Sequence, residues 1–283
     1  MALASKVRID IEGKELKDFI NITINQSIYN HNDFNVVCRM DTFEEKNSFV
    51  MEKSKDYIGS VINITIEAKV KGESQTYSNI FKGLITSINT SKSHNDQSNY
   101  IILSGYSPDI LMRDNPGNCS FENKTLKQIA DDLLKPYPKD ILKTRIDPAK
   151  GDSLSYTVRY NESRYDFLRR LATRYGEWFY YDGTQLFFGK LPDNKIDLKL
   201  GLDLNDFDFS IRMNPLNFRY VAYNRTSASS VEVASSRSGG KDNLNQYGGY
   251  AHDMSIKEFG QQSTLIYNRI MSPQLCNVAA SET

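Results

Sequence analysis

The chain has 283 residues, 39% of them hydrophobic and 25% charged, enough for a substantial core and for two or three domains. Its 35 basic residues are balanced by 35 acidic ones, so no global field draws in nucleic acid or an anionic membrane. No stretch approaches the roughly eighteen apolar residues of a spanning helix, and the opening MALASKVRIDIEG has no apolar signal core, so neither membrane insertion nor export by the general secretory route is expected.

From Val7 to about Met112 the chain reads as strands. Val7, Ile9 and Ile11 alternate with polar residues, as do Ile20, Ile22 and Ile24, then Phe34, Val36, Cys38 and Met40, then Ile62, Ile64, Ile66 and Ala68. NIFKGLITSINTS and NYIILSGYS follow, joined by the polar KSHNDQS. Half-buried strands at this spacing point to an antiparallel barrel or sandwich. From Arg113 to Leu191 the pattern is mixed. A helix carries Leu126, Ile129, Ala130 and Leu133 on one face and stops at Pro136 and Pro138. A second helix presents Tyr165, Leu168, Leu171, Ala172 and Tyr175 between arginines; Ser163 or Asn161 is placed to cap it, Asp166 complements its positive end and Gly176 ends it. Trp178, Phe179, Tyr180 and Tyr181, then Asp182-Gly183, then Leu186, Phe187 and Phe188 read as a hairpin with a type I′ turn, onto which the preceding helix folds. Strands return from about Ile196 with FDFSIRM and NPLNFRYVAYN, are interrupted by a Ser/Gly-rich loop over about 226–250, and give way after Ser263 to a weak helical pattern.

Chemistry is sparse. His31, His94 and His252 each stand in polar, turn-like sequence and read as solvated surface residues. The motifs HExxH, GxSxG, the P-loop and GxGxxG after a strand are missing. Asp131 and Asp132 are adjacent on a helix and point apart, so they read as a solvated edge. Cys38, Cys119 and Cys276 have no metal or disulfide spacing and read as reduced thiols. The aromatic cluster of Trp178, Tyr180, Tyr181, Phe187 and Phe188 suits core packing or a subunit interface better than ligand stacking. No catalytic residue, cofactor or metal is assigned.

The stretch VRYNESRYDFLRRLATRYGEWFYYDGTQLFFG resembles the signature of VgrG proteins of type VI secretion systems and of related contractile-phage tail hubs, with Tyr160, Glu162, Ser163, Phe167, Leu168, Arg170, Leu171, Gly176 and Tyr180 falling on its pattern. FKGLI at Phe81 to Ile85, the Tyr106, Pro108 and Leu111 of YIILSGYSPDILM, and the helix TLKQIADDLL match the same family upstream. The resemblance spans about residues 5–225.

It implies a mainly β (α+β) chain: a first β-barrel domain over 1–112, an α/β connecting domain over 113–195, and a second, incomplete β-barrel domain over 196–283. It further implies a structural hub rather than an enzyme: a homotrimer whose paired barrels adapt a six-fold tube to a three-fold spike. The expected partners are the hexameric tube protein, baseplate proteins, a spike tip and effectors, with assembly in the cytoplasm followed by injection. A complete VgrG continues into a neck and needle, so the chain is expected to be a fragment of a longer hub or a short hub with a separate spike. A tail-associated cell-wall hydrolase and a carbohydrate-binding β-protein are the competing readings.

Overall fold

The alternating segments of the first third become strands β1 (Leu3–Ile11), β2 (Lys14–Leu16), β3 (Phe19–Asn25), β4 (Asp33–Arg39), β5 (Val61–Val70), β6 (Thr76–Ser91) and β7 (Tyr100–Tyr106). The computed structural model describes residues 3–28, 30–40, 55–70, 76–91, 99–191, 197–198, 200, 204, 206–215, 217–224, 228–234, 245–259 and 263–267. The strands form one antiparallel sheet of seven in the order β2-β1-β5-β6-β7-β4-β3.

The two outermost strands, β2 and β3, are neighbours in sequence, with only Lys17 and Asp18 between them. Three Cα steps reach at most ~11 Å. The edges of a flat sheet of this size would stand about 29 Å apart at a strand spacing of about 4.8 Å. The sheet must therefore roll until its edges approach. Among the described residues no ladder joins β2 to β3, so the roll is held across its seam by the covalent link, and hydrogen bonding does not close it into a barrel.

Rolling turns one face of every strand inward, where Ile9, Phe34, Val36, Ile62, Phe81 and Leu103 belong to a single core. Phe34 lies directly opposite Gly105 on β7 and meets the ring of Phe81 edge-on at 5.8 Å. A Cβ on Gly83 would stand 2.5 Å from Cε1 of Phe34, and one on Gly105 would stand 2.8 Å from the same atom and 2.0 Å from the Leu84 carbonyl oxygen. The glycines of FKGLI and LSGYS thus make the space that the Phe34 ring fills.

The middle region contains β8 (Gly117–Lys124), α1 (Leu126–Leu134), β9 (Thr144–Asp147), β10 (Leu154–Glu162), α2 (Arg164–Tyr175), β11 (Trp178–Tyr181) and β12 (Leu186–Gly189). Thr125 caps α1 in a reciprocal box: its hydroxyl accepts from Gln128 N at 3.2 Å, and the Gln128 side chain accepts from Thr125 N at 2.9 Å. β8 and β10 pair as an antiparallel ribbon, while β11, β12 and β9 form a second small sheet in which β9 runs parallel to β12.

The hairpin turn differs from the expected two-residue form. Tyr181 pairs with Leu186, which leaves Asp182 to Gln185 as a longer loop. Asp182 organises it: Oδ1 accepts from the Thr184 and Gln185 amides, each at 2.8 Å, and from the Thr184 hydroxyl at 2.9 Å.

One compact unit spans Met1–Thr173 and Glu177–Lys190, and a second spans Arg174–Gly176 and Leu191–Thr283. In the second, β13 (Phe218–Asn224), β14 (Ser229–Ala234), α3 (Gln246–Phe259) and β15 (Ser263–Tyr267) are described. β14 pairs antiparallel to β13 and β15 pairs parallel to it, so the described sheet is mixed. A connection that contains a helix has the length to cross to the far edge, which is what a parallel neighbour needs. Within the stretch expected as a loop, β14 and the start of α3 are regular, and the expected helix after Ser263 is instead β15. The overall class is mainly β.

Phe34→Ala should cost about 3–5 kcal/mol in denaturant unfolding, because the cavity left between two glycines cannot collapse. Gly105→Ala should also destabilise, by about 1–3 kcal/mol, since a backbone oxygen cannot move aside. Ile20, exposed on an edge strand, serves as the control, and Ile20→Ala should stay within about 0.5 kcal/mol.

Candidate functional site

The residues of the expected signature fall on β10, α2 and the hairpin. Asn161, at φ 51°, and a bulge between Arg159 and Glu162 bend β10 into the helix. Ser163 is the cap: its hydroxyl accepts from Asp166 N at 3.0 Å and donates to the Asp166 carboxylate at 2.6 Å. Gly176, at φ 66°, ends α2, and Glu177 N reaches back to the Ala172 carbonyl at 2.9 Å, a Schellman closure. Arg170 binds Glu162 in fork geometry at 3.1 and 2.5 Å and the Val158 carbonyl at 2.8 Å, which ties the helix to the strand before it.

Phe167, Leu168 and Leu171 are fully buried. The Phe167 ring stacks on Phe121 of β8 at 5.9 Å, while Tyr165 on the same helix meets Phe179 of β11 at 5.1 Å. α2 is therefore wedged between the β8–β10 ribbon and its own following hairpin. Tyr180 stacks on Phe187 at 5.2 Å, and Tyr181 and the β12 residues are buried. Tyr160 differs from the rest: it points outward and is 76% exposed, and Tyr156 is exposed beside it on β10.

What sequence reasoning missed is a polar node beneath this wedge. His31 is not a solvated histidine. Its side chain is only 9% exposed, Nδ1 lies 2.7 Å from Oδ2 of Asp109, and its ring packs at 3.9 Å against Tyr165. Asp109 is 1% exposed, at the start of a short 3-10 turn over Pro108–Met112. Asn32, fully buried, exchanges hydrogen bonds with Ser107 through its amide (3.0 Å) and its carbonyl (2.8 Å). Its side chain accepts from Ser27 N at 2.8 Å and donates to the Tyr181 carbonyl at 3.0 Å. Four separate stretches of chain meet here. The hairpin tip adds a second tie, with Lys82 N donating to the Gly183 carbonyl at 2.7 Å and the Tyr181 hydroxyl to the Lys82 carbonyl at 3.3 Å. Glu177, also buried, accepts from the Ala149 and Lys150 amides at 2.9 and 2.8 Å. The sequence carries little signal for the node: YNHND around His31 is polar, and nothing in SPDILM marks Asp109 as buried.

Burial pushes the Cys38 thiol up to about 12 and raises the Tyr165 and Tyr181 phenols, with the nearby Asp109 carboxylate adding to both. Cys38 and Cys119 are free thiols, and Cys276 and His94 lie outside the described residues. The His252 side chain is largely covered as well. Among the described residues no group of three or more His, Cys, Asp or Glu could hold a metal ion, and no helix is long and apolar enough to cross a membrane.

The same stretch that contains the wedge and most of the node decides the family. Residues 32–191 match the model of the phage tail baseplate hub (GPD). The chain belongs to the phage tail baseplate hub family. No curated protein sequence matches it. Among solved structures, it is similar to the 43 kDa tail protein of prophage MuSo2 from Shewanella oneidensis, at 14% identity and TM-score 0.57, over 98% of this chain and 77% of that one. It is similar also to a tail protein from Neisseria meningitidis, at 14% identity and TM-score 0.55, over 98% of this chain and 74% of that one. The fold of this hub chain is thus one that tail proteins share.

Two measurements check the node. His31→Ala strands a buried carboxyl and should cost at least about 1–3 kcal/mol in urea unfolding; an unchanged midpoint would show that the node contributes nothing. The second is alkaline. Cys38 ordinarily ionises at 9.0, and Tyr165 and Tyr181 at 10.0; all three are raised in the fold, so the native chain holds protons that the unfolded chain releases. Their contribution is complete below about pH 9 and is lost as pH rises toward the folded values. The urea midpoint should hold steady up to about pH 9 and fall as the pH is raised above it.

Proposed function

We propose that this chain is a structural hub subunit of a contractile injection machine, either a phage-type tail or a type VI secretion spike base, and that three copies adapt a six-fold tube to a three-fold spike carrying effectors across a target membrane. The observation that carries the reading is the hub-family match over 32–191, which takes in the wedge, the hairpin and most of the rolled sheet. The architecture supports a load-transmitting part. The wedge holds the ribbon and hairpin on two sides, and the node and hairpin tip bind them to the rolled sheet. A rotationally closed ring asks each subunit for a rigid body with complementary faces, and a catalytic centre is not required for that role.

In this reading the rolled sheet is the tube-like module and the second unit supplies the other β module, completed in the assembly. Three copies then place six such modules around the axis. The tube protein docks on one side of that ring, and the spike tip with its effectors on the other. The subunit is assembled inside the producing cell with baseplate proteins and leaves it when the machine contracts. The outward Tyr156 and Tyr160 present apolar area of the kind that interfaces bury.

Negative-stain images of the intact particle, together with the mass of the purified chain by light scattering, test the proposal. A ring of three chains with a six-fold outline is the expected result; particles in which the chain is absent from the tube end would overturn it. Tyr160→Asp should leave the unfolding midpoint within the equivalent of about 0.5 kcal/mol, since the side chain is exposed, while lowering the fraction of assembled rings.

A further inference from the structure

The segment DFDFSIRMNP, Asp206 to Pro215, has the pattern of a half-buried strand and none of its surroundings. Phe207, Phe209, Ile211 and Met213 alternate with Asp206, Asp208, Ser210 and Arg212. All ten residues are exposed, with the four apolar side chains between 42% (Met213) and 67% (Phe207) accessible. Among the described residues the segment pairs with no strand. Phe209 touches the ring of Tyr247 at 5.3 Å and remains 57% exposed. The Asn214 carbonyl accepts from the Ser255 hydroxyl, but no described strand runs beside Asp206–Met213, and an alternating apolar segment of this kind is a strand without its sheet.

The same unit offers the complementary feature. Its sheet runs β14-β13-β15, so no described strand lies on the outer side of β14 along Ser230–Ala234. β14 covers Ser229–Ala234 and carries one charge, Glu232, which stands 3.5 Å from Arg219 with its side chain half exposed. If Ser210 is set level with Ser230, Arg212 comes level with Glu232, so the polar positions of the two segments coincide and the one charge of β14 meets a charge of opposite sign, while Asp206 and Asp208 fall before the start of β14. Phe209 and Ile211 then fall on the other face together.

Resting on the hub reading above, we infer that Asp206–Met213 is a donated strand that adds to the β14 edge of a second copy of this chain. The bond made is β-augmentation: main-chain hydrogen bonds set the attachment and the alternate side chains set the register. In a cyclic arrangement each chain gives one strand and receives one, so the exchange closes around the ring with no donor or acceptor left unmatched.

Two differently tagged full-length chains, one with Ser210→Cys and the other with Ser230→Cys, are mixed and oxidised, and the linked peptides are identified by mass. The expected result is a disulfide joining residue 210 of one tag to residue 230 of the other, lost when Ile211→Pro is added to the donor to remove its ladder N–H. An intrachain 210–230 link in the double variant, formed under conditions where the chain is monomeric, would overturn the inference by showing that the segment pairs at home. A ring that assembles without any 210–230 link overturns it too and leaves the hub reading intact. A chain that neither links nor associates overturns the inference, while the hub reading is then judged on the particle images alone.

Discussion

Two residues, Lys17 and Asp18, impose the constraint on which the N-terminal architecture depends. They join strands that stand at opposite edges of a sheet of seven, and no flat sheet can satisfy so short a link. Once the sheet rolls, its inward faces form one core, and the aromatic ring of Phe34 needs a gap in the facing strands. Gly83 and Gly105 provide it. The glycines, the ring and the short link are therefore parts of one solution, in which curvature is fixed by the chain and then filled by packing.

The helix α2 performs the corresponding task for the middle region. An arginine-rich helix of this kind is held by few apolar positions, and each is used: Phe167 toward the ribbon, Tyr165 toward the hairpin. Glu162 and Arg170 fix its angle to β10, and Gly176 with Glu177 turns the chain sharply into β11. The residues expected to form a hub signature thus include the cap, the stop, the buried face and the fork pair, whereas Tyr160 is exposed.

Much of this was legible because it is local. The alternation over Ile9–Ile11, Phe34–Met40 and Ile62–Ile66 found its strands, the Thr125 and Ser163 caps stand where helix starts were expected, and Gly176 is the stop. The remainder depends on contacts between distant stretches, which periodicity does not record. His31 and Asp109 are 78 residues apart; His31 sits in sequence that reads as a polar turn, and Asp109 drew no assignment of its own within YIILSGYSPDILM. Their burial follows from the arrival of Tyr165 and the hairpin over them. The turn at Asp182 deviated for a local reason: its carboxylate accepts four hydrogen bonds from a longer loop, which outweighs the preference of Asp-Gly for a tight turn. In the second unit, FDFSIRM alternates as a strand does and was expected to be one, but the structure places it in no strand among the described residues, because alternation does not record whether a neighbour is there to pair with.

The Asn32 side chain reaches the Tyr181 carbonyl across 149 residues of sequence. This tie, and those of Lys82 to the hairpin tip, can form only once the hairpin has been made, so the sheet and the wedge complete each other late in the first unit. High contact order of this sort slows acquisition of the native state and couples the two parts kinetically. Truncations made before about Gly189 should accordingly be read as affecting the first unit as a whole, including its first hundred residues.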